Sequence, residues 1–175
     1  VVNNLGIRER HILSEGESAA DIATVAAENA SKNAGISADE SDLIIVATDT
    51  PEYLSPGTSV VVQHRIGAKN AGTFDINAAC AGFVTAFDTA CKYIIADANY
   101  KSILVIGVYA MSKFLDWTEK KTATIFADGA GAIVLQSTND GKTGVLTSKL
   151  EAMGEYNDFL GIFAGGSKTP ITQEV

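Results

Sequence analysis

Asn77-Ala78-Ala79-Cys80-Ala81-Gly82-Phe83 joins a short β-rich run, Thr73-Phe74-Asp75-Ile76-Asn77, to a helical pattern extending from about Cys80 to Ala96. Small residues on both sides of the cysteine let the backbone bend sharply without clashes. The reading is an elbow: a strand ends, the chain turns, and a sulfur is held at the first turn of a helix. There the macrodipole and the free N–H groups favour an anion, so a thiolate is stabilised. A thiolate, unlike a thiol, attacks thioesters well. The competing reading is a structural cysteine, since free Cys is among the most buried residue types. The order strand, small pair, cysteine, helix outweighs it. Cys91 is the contrast. It lies on nearly the same face of the same helix, about 16 Å further along the axis, too far for a disulfide. With Tyr93, Ile94 and Ile95 beside it, Cys91 reads as core.

Outward from the elbow, strands alternate with helices. Ser18 to Ala34 reads as a helix, with Ile22, Val25, Ala26 and Ala30 near helical spacing. Ser18 and Asp21 form a weaker capping box, and Gly35 ends the helix. Asp42 to Thr48 is an apolar strand buried on both faces. Asp49 to Pro56 is a loop, Gly57 to Arg65 a short helix, and Gly67 to Gly72 a turn. Ser102 to Tyr109 is a second buried strand, and Met111 to Lys121 a polar loop. Ala123 to Phe126 and Gly131 to Gln136 read as two strands joined by a tight turn at Asp128-Gly129-Ala130. Gly144 to Leu150 is a further candidate strand. The tail from Glu151 has little periodicity. Such alternation implies an α/β class with a mostly parallel sheet in one domain.

Composition narrows the function. The chain has 175 residues, 46% hydrophobic and 19% charged, enough for a domain with a real core. The formal net charge of -8 and pI near 4.7 disfavour nucleic acid and anionic membrane surfaces, both of which need clustered Lys and Arg. No apolar run of about 18 residues is evident, so no transmembrane helix is expected. No signal peptide is visible. Two cysteines make no disulfide framework, and no Cys/His cluster has metal-ligand spacing, so no metal site is expected. A reducing cytoplasm is the default compartment.

Other chemistry-bearing residues are weaker. Phe126-Ala127-Asp128-Gly129-Ala130-Gly131-Ala132 lacks the Gly-Lys-Ser/Thr ending of a phosphate loop and the third glycine of a dinucleotide fingerprint. His11 and His64 could each serve as a base for Cys80, but read better as surface or helix-end histidines. Lys120-Lys121 is either a phosphate holder or a solvated charge pair.

Three motifs taken together are specific. Gly6-Ile7-Arg8-Glu9-Arg10-His11, the Cys80 elbow and Phe126 to Ala132 resemble β-ketoacyl-acyl-carrier-protein synthase III in order and spacing. The likeness covers almost the whole chain. It implies a thiolase-like fold, of which residues 1–175 are the N-terminal half, truncated at both ends. The sheet would be mostly parallel and five-stranded, with the first strand, which lies in the middle of the family's sheet, missing before Val1. The resemblance implies an acyltransferase in which Cys80 takes an acyl group from acyl-coenzyme A. The group is then condensed with malonyl-acyl carrier protein, with decarboxylation, to initiate fatty acid synthesis. The family's catalytic His and Asn belong to a second half. No cofactor is implied; acyl-coenzyme A is a substrate. A homodimer through the strand Thr73 to Asn77 is also implied.

The resemblance gives a substrate-binding set of Ser55, Lys120, Thr124 and Phe126. Asn4 stands where the family usually has a coenzyme-binding Arg, and Lys120 where it has a second. Lys meets a phosphate but cannot stack a planar guanidinium on adenine. Ser55 replaces a bulky residue that can close the primer pocket from the neighbouring subunit, leaving room for a longer or branched primer. The alternatives are a secondary-metabolite acyltransferase of the same fold and a non-catalytic partner subunit; a scaffold has no need of an elbow cysteine.

Overall fold

Leu43–Ala47 carries no polar residue, and all five of its side chains are buried, as a strand covered on both faces requires. The computed structural model describes residues 2–172. The elements in chain order are α1 (Val2–Leu5), α2 (Ala19–Ala34), β1 (Leu43–Ala47), α3 (Thr58–Ile66), β2 (Gly72–Ile76), α4 (Gly82–Ala96), β3 (Ser102–Ala110), α5 (Lys120–Ala123) and β4 (Asp128–Gln136). The sheet order is β2-β1-β3-β4. β1 is parallel to β2 and β3, and β4 is antiparallel to β3.

Alternate residues of the central strands face opposite layers. Ile44, Val46, Leu104 and Ile106 pack with Ala19, Ala23 and Ala27 of α2 and Val62 of α3. Leu43, Ile45, Ile103 and Val105 pack with Ala86 and Ala90 of α4. Each fully buried aliphatic side chain contributes roughly 1.5–3 kcal/mol. The alanines on α2 and α4 let both helices approach the sheet closely. The Asp21 carboxylate accepts from the Ser18 N–H at 2.7 Å, and Gly35 closes α2 at φ 69°, as the capping pattern predicts.

The structure corrects several sequence expectations. Asp128 to Gln136 is one uninterrupted strand, and Ala123 ends the short helix α5. The glycines that suggest a turn lie inside an antiparallel ladder, with Gly131 opposite Gly107 and Gly129 opposite Tyr109. No strand forms at Gly144 to Leu150; Leu146 is wholly exposed, and the segment finds no neighbouring edge to pair with. The polar loop after β3 contains a 3-10 turn, Met111–Lys113, and the start of α5. The missing-strand expectation also changes form. β1 and β3 pair directly, from Leu43 opposite Ile103 to Ala47 opposite Gly107, so no gap is left in the sheet. Finally, Ala79–Ala96 is long and apolar enough, by length and composition, to cross a membrane. Here it lies against the sheet through Ala86 and Ala90, with Asp88 and Lys92 joined in an ion pair.

Candidate active site

The parallel strands β1, β2 and β3 end at one edge of the sheet, and the antiparallel β4 begins there. That edge gathers Asp49 after β1, the elbow after β2, Tyr109 near the end of β3 and Gly129 and Gly131 in β4. Open α/β sheets bind ligands at the carboxyl ends of their strands.

At the elbow, a 3-10 turn over Ala79–Ala81 leads directly into α4. Ala79 has φ 45°, in the left-handed region that costs an L-residue about 1–2 kcal/mol. Asn77 Oδ1 accepts from the Ala79 N–H at 3.3 Å, and the Ala81 N–H donates to the Ala78 carbonyl at 3.1 Å. Two close approaches hold α4 in place. A Cβ on Gly82 would stand 3.3 Å from Ala47 Cβ, and one on Gly107 would stand 3.1 Å from Phe83 Cδ2. The result is an exposed Cys80 on a rigid turn.

Two cavities meet at Cys80. One, of about 350 Å³, is bounded by Phe83, Gly107, Gly129 and Gly131. The other, of about 380 Å³, is bounded by Met111, Phe114, Thr122 and the tail segment around Phe163. Asp49, Ala79, Cys80, Tyr109 and Phe126 line both. Added Cβ atoms on Gly129 and Gly131 would meet nothing within 4 Å, so these glycines keep the first cavity open. The Tyr109 and Phe126 rings stand 6.2 Å apart, tilted by 49°. Burial raises the pKa of the Asp49 carboxyl. Burial, then the negative charges of Asp49 and Cys80, push the Tyr109 phenol up to about 12.

The rim is tied by two side chains from conspicuous motifs. Arg10 Nη1 donates to the carbonyls of Ala123 at 2.5 Å and Phe126 at 2.8 Å. The Asp128 carboxylate accepts from Leu13 N and Ser112 N, each at 2.8 Å. These bonds connect the Gly6 to His11 motif with the Phe126 to Ala132 motif and explain why each carries a charged residue.

Of the residues expected from the sequence, Cys80 and Phe126 come together at the cavities. Ser55 is exposed in the loop before α3, outside both linings. Lys120 is exposed at the start of α5, and Thr124 Oγ1 donates to the Lys120 carbonyl at 2.7 Å; neither lines a cavity at Cys80. His11 and His64 are exposed and line neither cavity. Cys91 is buried, and burial pushes its thiol pKa up. No group of three or more metal-ligating side chains occurs among the described residues. Asp49 and Tyr109 are the site residues that the motifs do not reveal. Their position at the ends of parallel strands is the signal that marks them.

The family model described as 3-Oxoacyl-[acyl-carrier-protein (ACP)] synthase III matches residues 74–154. The chain is 44% identical over 160 residues to the β-ketoacyl-[acyl-carrier-protein] synthase III of Ehrlichia canis (strain Jake), covering 91% of this chain and 50% of that protein. To that of Rhizobium meliloti (strain 1021) it is 43% identical over 173 residues, covering 97% and 53%. Among solved structures, the 3-oxoacyl-(acyl carrier protein) synthase III of Pseudomonas aeruginosa PAO1 superposes with a TM-score of 0.86 at 32% identity, covering 96% of this chain and 52% of that one. The corresponding synthase from Aquifex aeolicus VF5 gives 0.76 at 41% identity, covering 79% and 44%. The chain thus spans about half the length of the curated relatives it matches.

Proposed function

Since the chain belongs to the β-ketoacyl-[acyl-carrier-protein] synthase III family and spans about half the length of its curated relatives, we propose that it is the acyl-accepting part of a condensing acyltransferase. The observation that carries this reading is the exposed Cys80, held on a strained elbow where two cavities meet. In the first step Sγ forms a bond to the carbonyl carbon of an acyl-coenzyme A thioester. The carrier sulfur leaves with the bonding pair and takes up the proton that Sγ gives up. Cys80 N, at the start of the helix, donates to the oxyanion in this reading. In the whole enzyme the acyl group is condensed with malonyl-acyl carrier protein, with loss of carbon dioxide. The resemblance assigns that step's His and Asn to residues outside this sequence. Phe126 borders the acyl group. Lys120 and Thr124, around α5, are assigned to the coenzyme A arm, and Ser55 to the primer pocket of a neighbouring subunit. β2 lies at the sheet edge, which supports a homodimer formed through it.

The test is transfer of a labelled acyl group from acyl-coenzyme A, with the modified residue located by mass spectrometry. Label on Cys80, absent from Cys80→Ala, is the expected result. An unlabelled Cys80, or label retained by the Ala variant, would overturn the assignment.

A further inference from the structure

The residue facing the nucleophile from the sheet is a tyrosine. Along β3, Ile103 and Val105 point to the α4 side, and Gly107 and Tyr109 continue that face by strand alternation. Tyr109 lies directly opposite Gly129, and a Cβ added to that glycine would meet nothing within 4 Å, so the strand pair is open on this face. The ring rests beside Phe126 and borders both cavities at Cys80. Its hydroxyl is not one of the buried side-chain atoms left without a partner; the residue belongs to the lining of both cavities. The space in front of it is the space in which a thioester must sit to reach Sγ. Burial and the charges around it keep the phenol protonated far above neutral pH.

We propose that Tyr109 is a substrate-binding residue of the acyl-transfer step, its O–H donating to the carbonyl oxygen of the thioester presented to Cys80. This rests on the acyl-transfer reading of Cys80. When Sγ attacks, the carbonyl oxygen gains negative charge, and a donor already aimed at it strengthens its bond in the transition state. The tyrosine retains its proton throughout, because an ordinary alkoxide intermediate collapses by expelling the carrier thiolate. Asp49 complements this arrangement by favouring the neutral phenol.

The test compares two reagents on the purified protein and on Tyr109→Phe. An acyl-coenzyme A presents a carbonyl to Cys80; methyl methanethiolsulfonate modifies the same sulfur without one. Tyr109→Phe keeps the ring against Phe126 and removes only the hydroxyl. The expected result is acylation slowed about tenfold, the value of one hydrogen bond, with the thiosulfonate rate at Cys80 unchanged. Equal acylation rates in the two proteins overturn the role of Tyr109 and leave the acyl-transfer reading standing. A parallel fall in both rates also overturns it, because the hydroxyl then supports the elbow and not the carbonyl. If Cys80 of the unsubstituted protein takes no acyl group at all but reacts with the thiosulfonate, the acyl-transfer reading fails and this proposal fails with it.

Discussion

A Cβ on Gly107 would stand 3.1 Å from Phe83 Cδ2, so the Phe83 ring occupies the space that this glycine leaves in β3. Phe83 is in the first turn of α4, immediately after the elbow. The contact therefore couples the centre of the sheet to the position of Cys80. Gly107→Ala should push the ring outward and tilt the start of α4. Overpacking of this kind costs about 1–3 kcal/mol. Thermal unfolding should show the loss of stability, and alkylation of Cys80 should change in rate. A variant as stable as the parent, with unaltered Cys80 reactivity, would show that the ring moves aside freely.

The two thiols should separate cleanly in chemistry. Cys80 is exposed, whereas Cys91 is buried, and burial raises its thiol pKa. Brief iodoacetamide treatment of folded protein, read by mass spectrometry, should label Cys80 well before Cys91. Comparable labelling would mean that α4 opens readily, or that the elbow sulfur is no nucleophile.

Asp128 is a structural clasp, although it lies in the stretch that invites a nucleotide-binding reading. Its two oxygens accept from Leu13 N and Ser112 N at 2.8 Å. Hydrogen bonds to a charged group contribute about 1.5–3 kcal/mol each. Asp128→Ala should lower stability by about 2–4 kcal/mol in denaturant unfolding. Amide exchange at Leu13 and Ser112 should accelerate together. Independent exchange at these two sites would mean that the carboxylate does not join them.

The same residues show what the sequence makes legible. The elbow can be read because Ala78, Ala79 and Gly82 mark a sharp bend and Cys80 marks its chemistry. The buried strands can be read because Leu43 to Ala47 is apolar without alternation. β4 cannot, because Gly129 and Gly131 carry a turn signal; they are bare for a tertiary reason, to leave the cavity open beneath Tyr109. Leu146 and its neighbours have strand composition, but pairing depends on a free edge elsewhere, which local composition does not encode. Tyr109 and Asp49 belong to no motif, and only the parallel arrangement of β1 and β3 brings them to the elbow. Arg10 and Asp128 are visible as motif residues, but the Ala123 and Phe126 carbonyls that Arg10 binds and the Leu13 N–H that Asp128 binds lie more than a hundred positions away in sequence.

Tyr109 also predicts an alkaline transition. Its phenol titrates at about 12 in the folded protein, against an ordinary value of 10.0. A raised folded pKa means that its contribution to stability is complete below the unfolded value. That contribution is lost as pH rises from 10.0 through about 12. Among the five tyrosines, one should therefore ionise late in a spectrophotometric titration of folded protein, and Tyr109→Phe should remove that late component. Stability of the parent should fall relative to that of the variant over the same interval. A late component that survives the substitution belongs to another tyrosine.

Assembly should depend on the outer edge of β2. Among the described residues β2 pairs only with β1, so one row of its backbone N–H and C=O groups is free. Free edges invite pairing with another chain. Antiparallel pairing of two copies across a two-fold axis satisfies both rows and continues the sheet. The choice of variant follows from the faces of the strand. Phe74 and Ile76 pack into the core on the α4 side, and the Asp75 carboxylate accepts from Thr58 N at 2.6 Å and Ser59 N at 2.8 Å. Substituting any of these would damage the fold as well as the edge. Thr73 is free of such duties, and a lysine there would place like charges near each other across the two-fold axis. Sedimentation of the protein should show a dimer, and Thr73→Lys should weaken it while circular dichroism stays unchanged. A monomeric parent, or an undiminished dimer in the variant, would place the interface elsewhere and remove the basis for assigning Ser55 to a neighbour's primer pocket.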